Sequence, residues 1–239
     1  MSKKPLDSLS IFFPVYNEEE NIALVIIDAV KNAGKIADKF EIICVNDGSQ
    51  DQTKAIVKKL AAIYPSVRLF THKKNQGYGA TIRTGLEHCR YNWIFFTDSD
   101  GQFHFDELAT FIKHRDEADF VVGYRAKRQD HLVRIILAQG LLKCWNRLMF
   151  DLKLRDIDCA YKLIPKKCLT GIKLTTSSAI TVTELVYRLT KKGCHYIEVP
   201  VTHYPRLHGM QTGSNPRVIL RALRESIRLW WEITCTSAV

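Results

Sequence analysis

Four times within the first hundred residues the chain runs through a short apolar segment and stops at a polar turn, and after the first three a helical pattern opens. The segments are Ser10 to Tyr16, Glu41 to Val45, Val67 to Thr71 and Trp93 to Thr97. Short runs rich in β-branched and aromatic residues, alternating with 3.6-residue periodicity, predict the order β-α-β-α-β-α-β. Such an order builds a mostly parallel sheet with helices on both faces. The consequence for function is positional. In an open parallel sheet every strand delivers its polar turn to one edge, and ligands bind in the crevice outside the carboxyl ends of the strands.

The first helix is expected from Asn17 to about Asn32, with Glu18, Glu19 and Glu20 in its first turn, where acid complements the helix dipole. Further helices are expected from Gln50 to about Tyr64 and from Ala80 to about Cys89. A fifth strand, Asp119 to Gly123, precedes Tyr124-Arg125. A basic amphipathic helix spans His131 to Phe150, and a short apolar stretch runs from Ala160 to Ile164. A helix from Thr181 to Lys192, a strand from Tyr196 to Val201 and a last helix from Arg217 to about Ile233 complete the pattern. Glu184 is either a sugar contact or a helix surface residue. At 239 residues and 46% hydrophobic, the chain can bury one full core. One domain is expected over 1–239, with a front half (8–125), a second half (126–215) and a basic amphipathic C-terminal helix (216–239).

Charge narrows the partners. Thirty-five Lys and Arg against 25 Asp and Glu give a net charge of +10, which favours an anionic partner such as a nucleotide, a nucleic acid or an acidic lipid surface. Seven cysteines, an odd number with no Cys-x-x-Cys, predict reduced thiols in a cytoplasmic setting rather than a disulfide framework or zinc site. Met1 to Asp7 does not resemble a signal peptide. Leu132 to Leu142, broken by Arg134 and Gln139, falls short of the roughly 20 apolar residues that a membrane span requires.

The turn after the fourth strand carries the chemistry. Alternation beyond Thr97 sends Asp98, Asp100 and Gln102 to one side, an oxygen donor set suited to Mg²⁺ or Mn²⁺. At the other strand ends stand Pro14-Val15-Tyr16-Asn17-Glu18, Asn46-Asp47-Gly48-Ser49 and Asn75-Gln76-Gly77-Tyr78-Gly79. The first offers a ring and hydrogen-bonding groups for a nucleobase. The second offers an acceptor for a ribose or base beside a glycine, and the third is a glycine-rich helix start of the kind that seats anions. Each is ordinary turn chemistry by itself; their joint delivery to one edge is what points to a nucleotide site.

Taken together, these motifs with Asp98-Ser99-Asp100-Gly101-Gln102 resemble glycosyltransferase family 2 over roughly residues 8 to 210. Asp-x-Asp-x-Gln with Gly123-Tyr124-Arg125 is most similar to the polyprenol-phosphate sugar transferases. The resemblance implies a GT-A fold and inversion at the sugar C1. It also implies that Tyr16 and Asp47 contact the nucleotide, with Pro14, Asn17, Glu18, Gly48, Ser49, Gly77 and Ser99 around them, and that Asp98, Asp100 and Gln102 surround the metal. Where that subgroup often has Asp-Pro-x-Ser-Gly-Phe, this chain has Asp156-Ile157-Asp158-Cys159-Ala160-Tyr161.

The expected reaction moves a hexose from a GDP- or UDP-linked donor to polyprenyl phosphate at the cytoplasmic face of an anionic membrane, with room for a membrane partner subunit. A lipid phosphate is already anionic, so it needs orientation and shielding rather than a base. Arg125, counted with the catalytic set, and Arg134 are the candidates, since a guanidinium matches phosphate with a fork of donors. An alternative is the same fold acting on a soluble or glycan hydroxyl, with Asp156 or Asp158 as base. A non-catalytic nucleic-acid-binding module is a second alternative, but it fits poorly: the carboxylates at the site repel a phosphate backbone. A nucleotidyltransferase, expected to carry a glycine-rich loop after its first strand, is not matched by Pro14 to Glu18.

Overall fold

The computed structural model describes residues 4–127, 140–206, 208–209 and 216–236. Its strands are β1 (Leu6–Val15), β2 (Ala37–Asn46), β3 (Val67–Thr71), β4 (Trp93–Phe96), β5 (Phe120–Lys127), β6 (Lys162–Pro165) and β7 (Tyr196–Thr202). They form one seven-stranded sheet in the order β3-β2-β1-β4-β6-β5-β7. The helices are α1 (Ile22–Ile36), α2 (Thr53–Ile63), α3 (Tyr78–His88), α4 (Leu108–Lys113), α5 (Gly140–Phe150), α6 (Ile180–Lys191) and α7 (Pro216–Thr236), with a single turn at Lys166–Leu169.

From β1 the chain steps outward through β2 to β3, then returns across the sheet to lay β4 on the other side of β1. All three pairings are parallel. This reversal is a topological switch point, the position outside whose strand ends open α/β sheets bind ligands. The two faces bury separate cores. One gathers Val25, Ile26 and Ala29 of α1, Val57 of α2 and Phe111 of α4. The other gathers Ile82 of α3, Phe150 of α5, Leu185 and Leu189 of α6 and Leu229 of α7. Phe95 and Phe96 of β4 illustrate the division, one joining each core. That is why β4 reads as continuously apolar rather than alternating.

The structure departs from the sequence pattern in three places. The stretch Ala160 to Ile164 supplies β6, which runs antiparallel between β4 and β5. Its four residues include Lys162, whose charge masks the strand signal. Next, β5 continues past Gly123, so Tyr124 and Arg125 lie within a strand paired to β7 rather than after it. The third difference is at α1, which begins at Ile22 and has no acid in its first turn. Asn17 adopts a left-handed φ of 53°, and of the acids that follow it Glu19 accepts from Gln52 N–H in the loop after β2, while Glu18 accepts from Asn21 and Arg206. Of the expected basic helix, 140–150 is seen as α5, whereas Leu132, Arg134 and the rest of its first half lie outside the described residues.

Two carboxylates, one buried and one half-buried, anchor the second half. Glu184 on α6 is fully buried and accepts from the Thr175 and Thr176 backbone N–H groups and from Arg188, so it is neither surface nor free to meet a sugar. Glu225 on α7 accepts from the N–H groups of Ser177 and Ser178 and the Ser177 hydroxyl. Nearby, the Trp145 indole of α5 donates to Ser226 Oγ at 2.7 Å. Burial pushes the Glu225 carboxyl up, but these donors outweigh it and hold the group down at about 2 against an ordinary 4.5. A carboxyl depressed on folding stabilises above its unfolded value and loses that contribution as pH falls toward its folded one. Docking of α7 is therefore expected to weaken between about pH 4.5 and 2. Glu225→Gln should cost about 1–2 kcal/mol at neutral pH and flatten that acid limb, as read by denaturant titration at several pH values.

Candidate functional site

The loops after β1 and β2 are laced together. Asn17 N–H donates to Ser49 Oγ and Asn17 Oδ1 accepts from Gln50 N–H, both at 2.9 Å. Glu18 N–H donates to Thr53 Oγ1, and Glu19 both donates to Asp51 and accepts from Gln52. Pro14 is buried at the end of β1, and its carbonyl accepts from Ser99 Oγ at 2.8 Å, tying β1 to the turn after β4. Tyr16 sits half-buried on the rim above them. Three of the polar clusters expected at one edge are thus joined into one floor.

Asp47 organises the fourth. Its carboxylate accepts from Gln76 N–H at 2.9 Å, Gly77 N–H at 2.8 Å and His72 Nδ1 at 2.7 Å, while His72 Nε2 meets Thr84 Oγ1 at 3.0 Å. Gly77 carries φ 103°, and a Cβ there would stand 2.6 Å from Ser177 O, so only glycine closes this turn. The start of α3 is consequently not an open anion seat. Gly77 N–H is held by Asp47 and Gly79 N–H by Ser177 O.

Beyond Phe96 the chain leaves the strand and bends, with Gly101 at φ 75°, so strict alternation does not govern where Asp98, Asp100 and Gln102 lie. Asp98 accepts from Tyr78 Oη at 2.8 Å. Burial first, and the charge of Asp100 second, push its carboxyl up to about 7. Asp100 accepts from Gln102 N–H. The Gln102 amide nitrogen donates to Tyr204 O at 3.0 Å, and Tyr204 N–H returns a bond to Gln102 O, clasping the segment after β7 to this turn.

That segment brings in a residue the sequence pattern did not single out. Arg206 meets Glu18 Oε1 at 2.6 Å and stands 3.6 Å from Asp100 Oδ2, while its Nε donates to His208 O. It bridges acids from β1 and β4. Burial raises Glu18, although Asn21 and Arg206 pull it back down. An arginine in a loop between two breaks carries no periodicity, so only folding reveals its partners.

On the other side, Arg125 forms a fork with Asp156, Nε to Oδ2 at 2.7 Å and Nη2 to Oδ1 at 2.8 Å. Burial opposes its charge, but the Asp156 pair prevails and raises the guanidinium. Asp156, read as a possible base, is here the carboxylate partner of the expected acceptor arginine. Lys162 pairs with Phe96, two residues before Asp98, and with Val122, three before Arg125, and both cations act electrostatically on Asp98. Arg134 lies outside the described residues.

The donor set fits a hard divalent cation. Asp98 and Asp100 are two mutually repelling carboxylates whose oxygens suit Mg²⁺ or Mn²⁺, and Arg206 already brings a positive charge to Asp100. Among the described residues no group of three or more His, Cys, Asp or Glu forms a metal cage. Two carboxylates agree with the manner in which Mg²⁺ is commonly held, by one or two protein carboxylates plus substrate phosphates.

The chain is similar to several known proteins. An undecaprenyl-phosphate 4-deoxy-4-formamido-L-arabinose transferase of Pseudomonas fluorescens is 24% identical over 222 residues, covering 92% of this chain and 64% of that protein. A dolichyl-phosphate beta-glucosyltransferase of Trichomonas vaginalis is 29% identical over 175 residues, covering 66% of this chain and 53% of its own length. The chain thus spans only about half to two-thirds of these relatives. Among solved structures, glucosyl-3-phosphoglycerate synthase of Mycobacterium tuberculosis, in complex with Mn²⁺, UDP and glucosyl-3-phosphoglycerate, superposes with a TM-score of 0.69. Identity there is 17%, over 95% of this chain and 79% of that one, a likeness of fold. Residues 10–164 match glycosyl transferase family 2, and the chain belongs to that family.

Proposed function

We propose that the protein transfers a hexose from a nucleoside-diphosphate sugar to a polyprenyl phosphate, with inversion at C1, at the cytoplasmic face of a membrane. The observation that carries this reading is the carboxylate pair Asp98 and Asp100 at the end of β4, bordered by Arg206 on one side and the Arg125–Asp156 fork on the other. The relatives named for transfer to dolichyl and undecaprenyl phosphate support the choice of acceptor. The solved relative crystallised with Mn²⁺ and UDP supports the choice of donor class.

Each group has a task in this scheme. Tyr16 and Ser49 line the base and ribose side, and Asp47 shapes that side by fixing the turn at Gly77. Asp98 and Asp100, with Gln102 beside them, hold a divalent cation, which when bound supplies Lewis-acid stabilisation of the departing diphosphate. Arg206 lies beside Glu18 and Asp100, within reach of the same developing charge. Arg125, oriented by Asp156, faces the acceptor, whose phosphate oxygen attacks C1 without a protein base.

The α7 helix supports a membrane site. Its packed side presents Ser226, Leu229 and partly buried Trp230, whereas Ile219, Leu223, Ile227 and Trp231 face outward at 44–59% exposure. Arg217, Arg224 and Arg228 flank that stripe. An exposed apolar ridge with cations beside it suits an anionic lipid surface. Among the described residues no helix is long and apolar enough to cross a membrane.

Extraction of labelled product into organic solvent, after incubation with GDP- or UDP-hexose, Mn²⁺ and polyprenyl phosphate, tests the reaction. Product confined to the aqueous phase would favour a soluble acceptor. Asp100→Asn should lower turnover about 10²–10³-fold while the protein stays folded. Arg206→Ala, which removes the cation that Glu18 and Asp100 share, should lower the melting temperature without metal and enlarge the rise produced by Mn²⁺ relative to wild type. An equal Mn²⁺ response in both proteins would separate Arg206 from the metal site. For the membrane, Leu223→Glu with Ile227→Glu should weaken co-sedimentation with anionic vesicles by at least about tenfold without loss of fold. Binding that is unchanged places the lipid contact elsewhere.

A further inference from the structure

Lys162 is a fully buried lysine at the edge of the site, and nothing in the reaction scheme above uses it. It opens β6, in register with Phe96 on β4 and Val122 on β5. It therefore lies between the strand that leads to Asp98 and the strand that carries Arg125. Its Nζ donates to Ile157 O at 3.1 Å and to Cys159 O, and stands 5.7 Å from the centre of the Phe96 ring. The cation is satisfied by carbonyl oxygens and a π face. Those carbonyls belong to the turn Asp156-Ile157-Asp158-Cys159, whose first residue forms the fork with Arg125.

Burying an ammonium is expensive, and a methionine of similar length would fill the volume without that cost. Burial lowers the affinity of Lys162 for its proton, while Cys159, Asp156 and Asp158 work to retain it. The same charge acts favourably on Asp98. A cost of this kind is offset where the charge fixes something an apolar side chain cannot. Here that is a turn with two inward carbonyls, which without a donor would be left unpaired.

We propose that Lys162 is a positioning residue for the acceptor step, a buried ammonium that pins the Asp156–Cys159 turn and so holds Arg125 in the orientation that receives the acceptor phosphate. The acceptor part of this inference rests on the function proposed above; the part concerning the turn does not. Lys162 touches neither donor nor acceptor and acts through Asp156.

The full-length chain carrying Lys162→Met or Lys162→Arg tests it. Lys162→Met is expected to melt cooperatively and to bind nucleoside diphosphate with Mn²⁺ within about threefold of wild type. It should lose about ten- to hundredfold in kcat/KM for polyprenyl phosphate, most of it in KM. Lys162→Arg should recover most of that loss. Nucleotide binding and acceptor use falling together, in step with melting temperature, would reduce Lys162 to a structural residue and overturn the proposal. Solvent exchange of the Arg125 Nε–H, assigned by its disappearance in Arg125→Lys, is a readout independent of activity. It should be slow in wild type and Lys162→Arg and fast in Lys162→Met, and exchange as slow as wild type in Lys162→Met overturns the proposal. If Lys162→Met does not fold, Lys162→Gln takes its place with the same two outcomes. A wild-type protein that transfers nothing to polyprenyl phosphate would defeat the functional reading, while the exchange measurement would still decide the role of Lys162.

Discussion

The structure depends on holding two carboxylates together where a buried strand meets solvent. Asp98 and Asp100 repel each other, and burial sharpens the repulsion because little water is available to screen it. The surrounding contacts compensate from several directions. Tyr78 donates to Asp98, Arg206 approaches Asp100, and Arg125 and Lys162 lend positive charge from behind. These groups come from α3, from the segment after β7, from β5 and from β6. The reversal of strand order at β1 brings them to one edge. A sheet without that switch would deliver the acids to a continuous edge with no crevice beside it.

The two halves keep their geometry by different means. In the front half, turns are fixed by short polar side chains and backbone groups, with Asn17, Ser49, Asp51 and Thr53 trading bonds across the β1 and β2 loops and Asp47 closing the Gly77 turn. Such contacts involve few rotatable bonds and hold the turns rigidly at the strand ends. The sheet's second side relies more on buried charge, which the front half also uses where Glu41 meets Arg68. Arg125 with Asp156, Glu184 with Arg188 and the threonine N–H groups, and Lys162 with its carbonyls hold loops that regular secondary structure does not reach. Buried charges are satisfied only in one geometry, so they specify a conformation even where they add little stability.

What was legible in the sequence follows the same division. Apolar runs ended by Asp, Asn and Gly announce strands and their turns, so β1 to β4 and the acidic edge could be read directly. On the sheet's second side β5 and β7 were legible in the same way, but β6 was not. β6 is short and contains a lysine, and its antiparallel placement between β4 and β5 is a long-range pairing that no local pattern encodes. Asp47 was legible as a polar turn residue, but its commitment to Gln76, Gly77 and His72 required the fold. The acids after Asn17 looked like a helix start because composition there matches one. Instead Asn17 turns left-handed, the Glu19 carboxylate meets the loop after β2, and the Glu18 carboxylate meets Asn21 and Arg206. Arg206 and the Asp156 fork belong to irregular segments, where sequence spacing says nothing about proximity.

The last helix is oriented differently from most amphipathic surface helices. An amphipathic surface helix ordinarily turns its apolar side to the core, so Ile219, Leu223 and Ile227 at helical spacing suggest packing on the sheet. In α7 the arrangement is reversed over the first turns. The inward side carries Arg221, Glu225 and Ser226, which bond to Ser177, Ser178, the Gln76 carbonyl and the Trp145 indole, and the apolar ridge faces out. Polar docking of a helix is weaker than apolar burial per unit area but directional, and it fixes rotation about the helix axis. Rotation decides where the ridge points. Because Arg221 reaches Gln76, one residue from Gly77, the exposed ridge begins beside the turn that Asp47 holds in the front half. A surface that engages the ridge would therefore lie close to the edge where the strands end. That is the geometry an enzyme requires if its acceptor cannot leave a bilayer cheaply and its donor arrives from water.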